Sequence, residues 1–321
     1  MSSSYYADTA FNSRALRTLP QSRHKSELSN TQKLIRMNPI ASRGLQCREY
    51  LSYGSLEFIE LLNDTSEENL KAKQCPAHEF QEWDSLNNPT VVIKAIRGVF
   101  GFFSYMAILA SILVLLLTKF QLESIIASAF LLLGTHGIFY GCKLILKKGW
   151  VKDKNNIIVS RRTGLVTFTW DKQRVSLPFD EFDVCMPMGT RPTGSHDYYL
   201  RFVHKYSDKW FQAPAGRDNA WEVEQDWEFW QQYMDISQPL PDIPKMEPFR
   251  ERDPVTAQWD QQHHRPKDYW KNTPMDKAEA MRRKSRKAAE SFPWGLSREQ
   301  ALEAGWQPSG VGQGDWQKNS V

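Results

Sequence analysis

Two uncharged apolar runs lie almost back to back in this chain, and they constrain its fold more than any other feature of its 321 residues. GVFGFFSYMAILASILVLLLT covers 98–118, and SIIASAFLLLGTHGIFYGC covers 124–142. At 1.5 Å rise per residue they make helices of about 31 and 28 Å, matching a bilayer core about 30 Å thick. A buried soluble helix seldom needs so long a Leu-rich run, and a signal peptide would stand at the N-terminus with a shorter apolar core. Only KFQLE (119–123) joins the runs, so an antiparallel transmembrane hairpin is expected within 91–148. Lys94 and Arg97 precede it; Lys143, Lys147, Lys148, Lys152 and Lys154 follow. The positive-inside rule then places both termini in the cytoplasm.

Small side chains indicate how the spans meet. Ala127, Gly134 and Gly141 recur every seven residues, with Gly137 completing a GxxxG step, while Ser104, Ala107 and Ser111 line the first span. Such seams let helix backbones approach where lipid supplies no drive for association, and a partner's helix would use the same seam. His136 is the one ionisable residue inside either run. A relay role is the functional reading. The plainer one is a neutral imidazole bonded to the neighbouring helix, where Ser104 and Tyr105 fall at similar depth, and two spans cannot enclose a pore.

Outside the runs the chain is hydrophilic, with a negative mean hydropathy. Its net charge of +4 comes from 41 basic and 37 acidic side chains, so nucleic acid is not an expected partner. The four cysteines, Cys47, Cys75, Cys142 and Cys185, are scattered, which argues against a disulfide framework or zinc site. Gly189–Ser195 has GxxxxG spacing but Ser195 where a phosphate loop needs Lys, leaving Arg191 as a weak anion contact. His263 and His264 are adjacent, a poor chelating geometry. The carboxylate pairs Asp180–Glu181 and Glu224–Asp226 read as solvated faces. No nucleophile–base, metal or cofactor constellation emerges, so the expectation is a non-enzyme without cofactor.

After Trp150 the periodicity turns to strands. NIIVS and LVTFTW flank RRTG; DKQR leads into VSLPF; YYLRFVH and KWFQA flank KYSD. A helix follows, with Asn219 and Glu222 as a capping box and Val223, Trp227, Trp230 and Met234 on one face, until Pro239 and Pro241 end it. The expected fold class is an α+β membrane protein, in which an antiparallel β domain over 150–237 is capped by one C-terminal helix.

The order of a two-span hairpin, SRRTGLVTF, LPFDEFDV, paired strands and WEFWQQYM…PLPDIP resembles an uncharacterised bacterial inner-membrane family. The resemblance covers about residues 50 to 245. It implies a pleckstrin-homology-like cytoplasmic domain and an occurrence beside type VI secretion effectors, and brings no catalytic residues. The role it implies is an immunity or accessory protein for a membrane-acting effector, with a secreted effector or secretion component as partner. The alternatives are a membrane-anchored scaffold or a channel subunit. Arg161, Arg162, Lys172 and Arg174, on two turns, are the candidate contacts to anionic lipid; ordinary solvated turns are the plainer reading.

The flanks read as extensions. Residues 1–48 suggest a disordered tail whose Ser- and Arg-rich composition also fits a mitochondrial transit peptide, making the mitochondrial inner membrane the alternative location. Residues 49–90, including GSLEFIELLND, would pack on the later domain. Seven prolines in 238–274 suggest a linker. Within 275–321, MDKAEAMRRKSRKAAE is a basic helix with a thin apolar stripe of Ala278, Met281 and Ala288. It is suited to anionic lipid or an acidic partner, or simply solvated, and Ser297 with Gln300 caps a last short helix.

Overall fold

The computed structural model describes residues 5–15, 33, 35–40, 44–50, 79–82, 89–118, 121–148, 157–190, 196–213 and 216–311. GSLEFIELLND, Lys152, Lys154, Arg191 and most of the Ser/Arg-rich N-terminal stretch lie outside them. The chain divides into two units, 83–157 and the combination of 1–82 with 158–321.

The smaller unit is a helical hairpin. Helix α1 (Pro89–Leu117) starts on a proline, which is preset for the first helical position, and α2 (Leu122–Lys147) follows. Both are long and apolar enough to cross a membrane, over Ile96–Val114 and Ile125–Ile145, with 17% and 11% of those windows buried. A core helix of a soluble protein would be mostly covered; here Phe102, Leu109, Leu113, Phe130 and Leu133 are all exposed.

The larger unit is α+β. Strands β1 (Glu79–Glu82), β2 (Ile157–Ser160), β3 (Leu165–Trp170) and β4 (Gln173–Pro178) form one sheet in that order. β5 (Phe182–Cys185), β8 (Arg201–His204) and β9 (Trp210–Gln212) form a second, and β6 (Met188–Thr190) with β7 (His196–Tyr198) a separate hairpin. The sequence-predicted hairpins are present. Ser160 pairs with Leu165 around a turn whose Gly164 has φ +71, and Trp170 pairs with Gln173 around Asp171 and Lys172, both at positive φ. Alternation buries Val166 and Phe168, and Phe168 joins Phe182, Phe202 and Phe211 in an aromatic core. Helix α3 (Ala220–Met234) has the expected Asn219–Glu222 capping box and buries Val223, Trp227, Trp230 and Met234. Trp227 reaches the core through Phe179 and Phe202.

The described parts of the flanks are built into this unit, in place of the expected tail and linker. Residues 38–40 pair with the outer edge of β5, through Ile40 N–H to Val184 O and Met186 N–H to Asn38 O, both near 2.9 Å. Residues 5–13 lie over the β2–β3 turn, so close that a Cβ on Gly164 would sit 2.2 Å from Thr9 O. The proline-rich stretch 238–274 buries Leu240, Ile243, Met246 and Trp270. It adds helix α4 (Pro254–Gln262) and an ionic cluster in which Arg265 meets Asp242 and Glu247 while Arg250 meets Asp260. Its prolines shape turns and helix starts of a packed segment, so composition alone misread it as a linker. Helices α5 (Met275–Glu290) and α6 (Arg298–Glu303) complete the unit, the latter with its Ser297–Gln300 capping box. The apolar stripe of α5 is core: Ala278, Met281 and Ala288 are buried, so it is no membrane-seeking face.

Candidate functional site

The hairpin seam lies partly where the sequence put it. Ser104, Ala107 and Ser111 of α1 are all buried. On α2 Ser128 is buried and Leu132, Thr135, Phe139 and Cys142 are half-buried, a 4–3–4–3 spacing that mirrors Arg97, Phe100, Ser104, Ala107 and Ser111 on α1; His136, Gly141 and Ile145 are half-buried beside it. Gly101 admits the closest approach, with Phe139 3.3 Å from where a Cβ would stand. The expected Ala127–Gly134–Gly141 face is therefore not the one against α1. Ala127, Gly134 and Gly137 are exposed, and a Cβ on Gly134, Gly137 or Gly141 meets nothing within 4 Å. Each residue turns a helix by about 100°, so an offset of one residue separates the two faces. His136 bonds through Nδ1 to Leu132 O of its own helix, at 3.1 Å, and stacks with Tyr140. The expected partner Tyr105 is 76% exposed.

The four basic turn residues do not form one patch. Arg161 is 1% exposed. Its Nε donates to Asp253 Oδ1 at 2.9 Å, and its Nη1 donates to Tyr233 O and Asp235 O at 2.6 and 2.9 Å. Nη2 reaches Gln238 O at 2.6 Å. Arg161 thus caps the C-terminal carbonyls of α3, where a cation is also favoured by the helix dipole. Asp253 at the same time caps the N-terminus of α4 through Thr256 N–H and accepts Tyr6 OH. Burial alone would raise the Asp253 carboxyl, but Arg161 and the Thr256 and Tyr6 hydroxyls outweigh it and hold it below the usual range. Arg161 is removed from the lipid-contact set. Arg162 is half-buried beside the Tyr5 ring. Lys172 and Arg174 are exposed but belong to the other end of β3, roughly 20 Å away at 3.3 Å per residue.

A second constellation was not legible in sequence. Glu228 of α3 is 3% exposed, and its carboxylate accepts the backbone N–H groups of Gln46, Cys47 and Arg48. Gln231 accepts from Gly44 N–H, and Gln225 donates to Glu49 O. From the other side Arg298 donates to Cys47 O at 2.7 Å, and the buried Glu49 carboxylate accepts Ser309 N–H and Oγ–H. Residues 44–50 are thereby a strap clasped between α3 and the C-terminal segment. Burial raises the Glu228 carboxyl despite its three donors, and Glu224, one turn earlier, is pushed up to about 7 by burial and by Glu228. Burial, with Glu228 and Glu49 nearby, likewise drives the Cys47 thiol far up.

The carboxylate pairs read as solvated are in use: Glu181 contacts His204 Nε2 at 3.0 Å, and Asp226 pairs with Arg217 at 3.0 Å. His263 stacks on Trp259 and contacts its carbonyl. Among the described residues no group of three or more His, Cys, Asp or Glu is placed to hold a metal. Comparison with protein families, curated proteins and solved structures yields no match.

Proposed function

We propose that this chain is a bacterial inner-membrane protein anchored by α1 and α2 with both termini cytoplasmic. Its larger unit is a pleckstrin-homology-like binding module. Its role is to protect against, or assist, a membrane-acting type VI secretion effector without catalysis. The observation that carries the reading is the hairpin itself, with bulky apolar side chains exposed along helices of bilayer length. A small-residue face of Ala127, Gly134 and Gly137 remains open beyond the α1–α2 seam. An invading helix could pack there as transmembrane helices do. The four-plus-three strand arrangement closed by α3 supports the module reading, and the secretion link rests on the resemblance. A scaffold tethering a cytoplasmic partner is the second reading, favoured by the cleft described below.

Cysteine-accessibility labelling from outside the cell tests topology: a cysteine at Gln121 is labelled and one at Ser160 is not, and the reverse pattern refutes the orientation. Expressing the neighbouring effector with and without this gene tests the role. Gene-dependent survival that is lost on substituting Gly134, Gly137 and Gly141 by Leu supports protection through the hairpin. Equal killing, with secretion unaffected by deletion, leaves only the scaffold. Because the larger unit includes residues on both sides of the hairpin, lipid-dependence tests need the full chain rather than 150–245 alone.

A further inference from the structure

We propose that the cleft between α5 and residues 304–309 docks an acidic peptide segment of a partner protein. The cleft holds about 580 Å³, within the range of specific binding pockets. Lys284, Lys287 and Ser291 stand along one wall, and Pro293, Trp306 and Pro308 supply apolar surface. Lys277 continues the line two helical turns before Lys284. All three lysines are exposed and carry no ion pair among the described residues. By contrast, Arg161, Arg217, Arg250 and Arg265 each meet a carboxylate. The α5 lysines therefore place unpaired positive charge beside a concavity.

Charge complementarity selects an anionic occupant, and shape selects a peptide. A flat lipid surface would not fill a cleft, and α5 has no free apolar stripe to insert, since Ala278, Met281 and Ala288 are core. Leu296 and Leu302, two of the few large apolar side chains exposed outside the hairpin, lie in the same C-terminal segment. Carboxylates on Lys284 and Lys287, with an apolar side chain against Pro293 and Pro308, satisfy both halves of the lining.

The test uses the full chain in neutral detergent and a fluorescein-labelled peptide of repeated Asp-Glu-Leu, with its Asn-Gln-Leu counterpart as the uncharged probe. Saturable anisotropy is expected for the acidic peptide alone. The double variant Lys284→Glu, Lys287→Glu weakens it about tenfold or more, as two charge-assisted contacts become repulsive. Lys271→Glu, the same charge change at an exposed lysine outside the cleft, alters it less than about twofold. All of these side chains are exposed, so melting midpoints should hold. The proposal is overturned if the acidic peptide fails to saturate or the uncharged one binds equally. It also fails if Lys271→Glu weakens binding as much as the double variant.

Discussion

Arg161 occupies a turn, Arg161–Gly164, whose composition reads as surface, yet its guanidinium joins the end of α3 to the start of α4. Truncating one partner of a buried pair strands the other charge, so Arg161→Ala is expected to cost about 3–5 kcal/mol, measured by denaturant unfolding in detergent. Lys should not restore it, because a single ammonium cannot replace the planar fork on Asp253 and the four carbonyls of Gln232, Tyr233, Asp235 and Gln238. Asp253 has a lowered folded pKa, so its contribution is present above its unfolded value and lost as pH falls through the folded one. Glu224 has the opposite sign. Its pKa rises from 4.5 to about 7, so its favourable term is full below 4.5 and lost as pH climbs through 7. Glu224→Gln should therefore unfold later than the parent at pH 8 and show no such advantage at pH 4, checked by melting midpoints at both.

At the level of elements, both hairpin helices advertise heptad-spaced small residues, but α2 carries two such rows one position apart. The row of Ser128, Thr135 and Cys142 is covered along its length, whereas Ala127 and Gly134 of the other are exposed. Leu132 and Phe139 share that side, and Phe139 supplies the bulk that meets Gly101. Glycines alone pointed to the wrong row because they record where approach is permitted, not where a partner stands. Gly101→Leu should lower the thermal midpoint of the detergent-solubilised protein by colliding with Phe139. Gly137→Leu should leave it nearly unchanged; an equal loss for both would place the seam elsewhere. The β-hairpins and α3 were legible from local chemistry: Gly164 at positive φ, a capping box, and a Trp stripe at helical spacing.

Over the whole molecule, the N- and C-terminal flanks meet across the β unit. Cys47 is fully buried with Ala288, Ala289, Phe292, Ala301 and Trp306. Deleting everything after Glu290 removes half of that cluster together with Arg298 and Ser309, which hold the strap. Native-state maleimide labelling, localised by mass spectrometry, should then reach Cys47 in the truncated chain and not in the parent. Labelling in neither would mean that α3 alone holds the strap.

The sequence by itself determined the features that depend on neighbours within a turn or two. These are the length and apolarity of two helices, the hairpin turns, the helix caps and the α+β order. Tertiary structure alone decided which polar groups are internal. Glu228, Glu49 and Arg161 look like surface residues because burial and pairing with groups 92 to 260 positions away leave no periodic trace. It also decided that a proline-rich stretch is core, that residues 38–40 bridge a sheet edge and that residues 44–50 form a strap. A buried charge is tolerated only where distant donors and acceptors converge on it, and that convergence belongs to the fold.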